Sequence, residues 1–141
     1  MTPARPPSWG KLDTGDVLAI HELLALYGHC IDEREWQRGA ELFMVDALYD
    51  MSDFALPVVR GPDAIRALWQ QHGQGHPLAH HATNIVVRDE AHGTARVISK
   101  GLGVGRKGRV GSVTYHDIVC VTPAGWRFAE RIGTLRRPPP G

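Results

Sequence analysis

The residues of this chain that could move a proton are few, and most stand among apolar neighbours. His80 and His81 open the run His80-His81-Ala82-Thr83-Asn84-Ile85-Val86-Val87, whose β-branched residues favour a pleated strand. Side chains alternate along a strand, which predicts His80 and Asn84 on one face and His81 on the other. Tyr27 and Asp32 stand at the end of an apolar helical stripe, and Tyr49 and Asp50 on a short strand. Tyr115, His116 and Asp117 share a later strand, and Arg131 interrupts the apolar stretch of the last one. A histidine beside a carboxylate makes an acid–base pair near neutral pH, because the carboxylate orients the ring and stabilises its protonated form. Tyrosine hydroxyls can donate to a developing oxyanion. Together these groups suit proton removal next to a carbonyl, and hence elimination of water, isomerisation or aldol-type ring closure, with no cofactor. Each also has a structural explanation: a hydrogen-bonded strand histidine, a helix-capping Asp32, a core Tyr27, an ion-paired Arg131.

The elements that must position them follow from periodicity. Asp13-Thr14-Gly15-Asp16 supplies N-cap chemistry, and Val17, Ile20, Leu24, Tyr27 and Ile31 then recur at helical spacing. A second helix is predicted from Glu33-Arg34-Glu35 through Trp36, Ala40, Leu42 and Phe43, followed by a short strand over Ala47-Leu48-Tyr49-Asp50-Met51. Pro62 and Asp63 open a third helix whose inward face is Ile65, Leu68 and Trp69, and Gly73 and Gly75 end it. Beyond Pro77 the pattern turns to long strands, at approximately 79–89, 94–104, 110–122 and 125–135. Short turns join them, as antiparallel hairpins require. Helices first and meandering strands after is an α+β pattern. A curved sheet over the long helix would leave a hollow of the kind that holds small ligands.

The bulk properties exclude several function classes. The chain has 141 residues and a formal net charge of +1, so nothing points to nucleic acid or an anionic membrane as partner. No apolar run approaches the roughly 20 residues that span a bilayer. The proline-rich segment 1–12 reads as a flexible arm without the apolar core of a signal peptide, 13–137 as a single domain and 138–141 as a tail. Cys30 and Cys120 are expected to be reduced thiols, and the expected compartment is cytoplasmic. There are eight histidines, yet no His-Glu-x-x-His or Cys-x-x-Cys spacing supports a metal site. Gly101-Leu102-Gly103-Val104-Gly105 lies within a hairpin and opens no helix, so it is read as allowing curvature or close packing, not as a phosphate loop.

The ordered set Tyr27, Asp32, Glu35-Trp36, Leu42-Phe43, Asp46-Ala47, Gly61-Pro62-Asp63-Ala64-Ile65, His80-x-x-x-Asn84, Tyr115-x-Asp117, Gly125-Trp126-Arg127-Phe128 and Arg131 resembles the SnoaL-like proteins of the nuclear transport factor 2-like superfamily. The branch it resembles lies near scytalone dehydratase and bile acid dehydratase. The resemblance covers about residues 12–137. It implies a cone-shaped, curved, mostly antiparallel sheet wrapped around three N-terminal helices, with a pocket at the open end. It also implies Tyr27, Asp32 and His80 as the catalytic set, with His80 chosen over His81 because the family's histidine stands four before the asparagine. Tyr49 and Arg131 match further pocket positions, and Asn84, Tyr115 and Trp69 are expected to contact substrate.

Dehydratases of this branch carry a second ionisable residue on the next strand, whereas region 98–106 offers Ser99, Lys100 and glycines. The expected function is therefore a cofactor-independent dehydratase, isomerase or cyclase acting on a hydrophobic polyketide- or steroid-like ketone, in a homodimer or homotrimer. The alternatives are a non-catalytic binding or assembly module of the same fold, and an epoxide hydrolase using Asp32, Arg131 and Asp117.

Overall fold

The computed structural model describes residues 12–141; of the predicted arm over 1–12, all but Leu12 lies outside them. The first helix, α1 (Thr14–Asp32), begins at a capping box. Asp16 N–H donates to the Asp13 carboxylate at 2.8 Å, and Asp13 N–H donates to that of Asp16 at 3.1 Å, which satisfies two of the free donors at a helix start. Its stripe of Ile20, Leu24, Tyr27 and Ile31 is buried, as the periodicity predicts.

The second helix is shorter than the sequence predicts: α2 is only Trp36–Ala40. Arg34, at φ 60, breaks the chain between α1 and α2. Leu42 and Phe43 leave the helix for the sheet. The Leu42 carbonyl accepts from Phe128 N–H at 2.9 Å, and Phe43 is in register with Phe128. A partner 85 residues later in the chain thus overrides a locally helical pattern. Strand β1 accordingly runs Phe43–Asp50, longer than predicted, and a two-residue strand, β2 (Val59–Arg60), was not legible. Helix α3 (Pro62–Gln71) starts at its proline. The four long strands, β3 (Ala79–Ala91), β4 (Thr94–Val104), β5 (Val110–Thr122) and β6 (Gly125–Leu135), fall where the turns place them.

The six strands form one open sheet in the order β2-β1-β6-β5-β4-β3. All pairings are antiparallel except β1 with β6, so the sheet is mixed. Two irregularities set which side chains face the helices. On β3 the register shifts between Thr83 and Val86, and the inward set becomes Ala82, Ile85 and Val87, all packed on the core. On β6 an extra residue opposite the Ile118–Val119 step carries the buried series from Trp126 and Phe128 to Arg131 and Gly133. A bulge shifts the alternation by one residue, and this one turns a guanidinium inward.

The hollow expected between helix and sheet is filled with protein where the aromatic residues meet. Phe43 and Phe128 stack with centroids 4.9 Å apart, and the Tyr27 ring lies edge-on to Phe43, Trp69, Tyr115 and Phe128 at 5.9–6.3 Å. Such edge-to-face pairs add roughly 0.5–1.5 kcal/mol each beyond area burial. Among the described residues no helix is long and apolar enough to cross a membrane, and Cys30 and Cys120 are free thiols.

Candidate active site

Two polar groupings face the helix side of the sheet. The first joins the C-terminal end of α1 to the start of β3. One Asp32 oxygen lies 2.5 Å from His80 Nδ1. The same carboxylate accepts the His80 backbone N–H, at 3.1 Å to Oδ1 and 3.0 Å to Oδ2. A carboxylate can only accept, so Nδ1 carries the hydrogen and Nε2 is the nitrogen left for chemistry. Both side chains are largely covered, His80 18% and Asp32 15% exposed. Gly28, one turn before Asp32, allows the approach of strand to helix. A Cβ there would lie 3.2 Å from the His80 carbonyl oxygen and 3.4 Å from its Cβ.

The second grouping lies deeper. Tyr27 and Tyr49 share a hydrogen bond of 2.7 Å between their hydroxyls, and Trp69 Nε1–H donates to Tyr49 at 3.1 Å. The Arg131 guanidinium carbon lies 3.7 Å from the Tyr115 ring centroid, 4.1 Å from that of Tyr27 and 4.7 Å from that of Phe128. Cation–π attraction of this kind reaches about 2 kcal/mol when desolvated. Arg131 faces Asp117 at 3.6 Å, too long for a hydrogen bond, and Asp117 and Ser99 are equally buried. Burial, with neighbouring Tyr115 and Tyr49, pushes the Tyr27 hydroxyl well above its ordinary range. Burial likewise lifts Tyr49 to about 12 and raises Tyr115. These hydroxyls therefore stay protonated across the working pH range and act as hydrogen-bond donors, not as bases.

Burial also pushes Asp117 up to about 7, against the pull of Arg131. Between its ordinary value of 3.8 and about 7 the folded chain holds a proton that the unfolded chain has released. Asp117 thus contributes stability that is full below pH 3.8, is lost progressively as pH rises to about 7, and changes little above. Denaturant titrations of the wild type and Asp117→Asn across this window are expected to show the substitution reducing that fall.

Of the predicted site residues, Asp32 and His80 come together, and Tyr27, Tyr49, Trp69, Tyr115 and Arg131 come together in the deeper cluster. Among the described residues no hydrogen bond joins the two groups. Asn84 joins neither. The β3 bulge removes it from His80's face, and it is exposed at φ 54, a left-handed conformation that asparagine tolerates. His81 is exposed on the other face, as predicted. The Asp32–Arg131–Asp117 arrangement is not assembled: Asp32 is committed to His80, and Arg131 has Asp117 as its one carboxylate partner among the described residues. Lys100 turns away to donate to Thr114 Oγ1 at 2.5 Å. Two of the alternating glycines serve close packing: a Cβ on Gly101 would lie 2.5 Å from the Tyr115 ring and one on Gly103 3.0 Å from Pro77, whereas Gly105 has only ordinary contacts.

His76 was not among the predicted site residues. Its half-buried ring stacks on Trp36 at 5.5 Å and lies 6.4 Å from the His80 ring. It sits in an irregular segment, where no periodicity assigns a face.

A model of the SnoaL-like domain matches residues 13–132. No curated protein matches the chain in sequence. Among solved structures the chain is similar to a candidate aromatic ring hydroxylase from Novosphingobium aromaticivorans, at 27% identity, covering 91% of this chain and 94% of that one, with a TM-score of 0.75. It is also similar to a candidate scytalone dehydratase from the same organism, at 20% identity over 87% and 85% of the two chains, TM-score 0.69. A third is the hexachlorocyclohexane dehydrochlorinase LinA-type3 from Novosphingobium barchaimii, at 18% identity over 87% and 88%, TM-score 0.73. The last two likenesses concern the fold alone. Others among the similar structures are described as having a cystatin-like fold, one of them as nuclear transport factor 2-like. By the span of the domain match, this chain belongs to the SnoaL-like domain family.

Proposed function

We propose that this chain is an acid–base lyase or isomerase that removes a proton next to the carbonyl of a hydrophobic, multi-ring or polyketide-like ketone. The observation that carries the reading is the Asp32–His80 contact, in which one carboxylate holds both the backbone and the Nδ1 of the histidine. His80 Nε2 takes the proton from carbon and returns it to a departing or rearranged group. Asp32 fixes the tautomer and balances the charge that the ring gains. In this reading a hydroxyl of the Tyr27–Tyr49 pair, ordered by Trp69, donates to the enolate oxygen. The similar dehydrochlorinase gives support by analogy, because loss of HCl, like loss of water, requires a proton to leave carbon.

A second reading, a binding module of the same fold without chemistry, is favoured by the filled aromatic interior and by the neutral Ser99 in place of an ionisable residue. Asp32→Asn separates the two. An amide can donate to Nδ1 and so favour the wrong tautomer. Proton abstraction, followed as deuterium exchange at the carbon next to the carbonyl of a bicyclic ketone, is expected to fall by on the order of 10²-fold. A protein that binds such ketones but exchanges nothing supports the module instead.

A further inference from the structure

When the substrate carbon exchanges its proton, the proton that His80 takes must trade places with one from solvent, and the His80 side chain is only 18% exposed. A second imidazole, that of His76, lies beside it. The two rings have centroids 6.4 Å apart, tilted by 60°, and share no hydrogen bond. His76 Nε2 lies 3.3 Å from the Trp69 carbonyl oxygen. A carbonyl only accepts, so Nε2 carries the hydrogen and Nδ1 holds the lone pair. Each ring is thus fixed in one tautomer by a different acceptor, with Nε2 of His80 and Nδ1 of His76 left over. From this geometry we infer that His76 is a proton shuttle: it accepts, through one bridging water or hydroxyl, the proton that His80 has taken from substrate, and delivers it to bulk solvent. The inference rests on the proton-abstraction reading above.

The proton balance is simple. His80 Nε2 gains a proton from carbon. That proton passes to the bridging oxygen as the bridge's own proton passes to His76 Nδ1. His76 then loses its extra proton to water, both rings end neutral and the substrate is held as its enolate; a solvent proton returning to the carbon by the reverse path completes the exchange. The surroundings of His76 suit a carrier that does not retain its proton. It is half-buried, and its electrostatic neighbours His80, Arg34 and His72 are all groups that carry or can carry positive charge. Burial and these neighbours hold its imidazole below the ordinary range, against the opposing pull of the Trp69 carbonyl. Its stacking on Trp36, at 5.5 Å and 36°, keeps the ring beside the dyad. No residue of β4 takes this role, because Lys100 points away and Ser99 does not titrate.

Solvent deuterium entering 1-tetralone at the carbon next to its carbonyl, followed by NMR in D2O, reads the shuttle directly. A proton that cannot leave His80 returns to the same carbon and is not replaced. Wild type is expected to exchange, His80→Ala to lose exchange, and His76→Gln to slow it by about tenfold or more, with added imidazole restoring the rate. Exchange lost in His80→Ala but unchanged in His76→Gln overturns the shuttle and leaves the dyad intact. A loss in His76→Gln that imidazole does not restore overturns it too, in favour of a packing role. Absence of exchange by wild type overturns the dyad reading and the shuttle with it. Nitrogen NMR of the free protein gives a substrate-independent check. His76 is expected in the Nε2–H form at neutral pH, and the Nδ1–H form would contradict the assignment.

Discussion

Replacing His80 with alanine is expected to reduce turnover by on the order of 10²-fold or more, the usual contribution of one positioned acid–base group, while the unfolding midpoint stays nearly unchanged. The two effects separate because of how Asp32 is used. Its carboxylate accepts the backbone N–H of residue 80 with both oxygens, and alanine keeps that N–H. The join between α1 and β3 therefore survives, and the half-buried carboxylate keeps a partner. What is lost is the Nδ1 contact and the free Nε2. The side chain was partly exposed already, so its removal opens no sealed cavity of the kind that costs several kcal/mol. A large loss of stability would mean that the histidine is a structural strut. Undiminished turnover would remove it from the chemistry.

Replacing Arg131 with alanine is expected to have the largest effect on stability, about 3–5 kcal/mol, or roughly 10 °C or more in Tm. The guanidinium is enclosed by the Tyr27, Tyr115 and Phe128 rings and faces one buried carboxylate. Its removal strands Asp117 and leaves three rings without the group they surround. The loss should be greatest above pH 7, where Asp117 is ionised, and smaller in acid, where a neutral carboxyl needs less compensation. Combining Arg131→Met with Asp117→Leu should recover much of the loss, because apolar replacement of a whole buried pair is often neutral or better. Thermal unfolding of the single and double variants at pH 5 and pH 8 measures this. An Arg131→Ala protein as stable as wild type would contradict the enclosed ion pair.

The two groupings differ in how far the sequence disclosed them. The α1 stripe that carries Tyr27 and ends at Asp32 was legible because helical periodicity and an acidic cap agree. The four long strands were legible because turn residues bound them. Periodicity failed where long-range pairing decides. Phe43 looks helical until Phe128 pairs with it, and Asn84 looks inward until a bulge shifts the alternation. The bulge on β6 that turns Arg131 toward the helices has no local signature either. The buried environment of Asp117 depends on three strands meeting and could not be read from strand alternation alone. The closeness of Asp32 to His80 could be anticipated only through family resemblance, since 48 residues separate them. His76 was given no acid–base role because an irregular segment offers no periodicity to say which way a ring points.

The Asp32–His80 pair is proposed to abstract a proton from carbon. Deuterium incorporation from D2O into 1-tetralone, at the carbon next to its carbonyl, tests it most directly, with wild type and His80→Ala compared at equal concentration. Wild type is expected to exchange well above the buffer rate, and the variant to lose that exchange. Exchange at the buffer rate in both, or at the same raised rate in both, would contradict it.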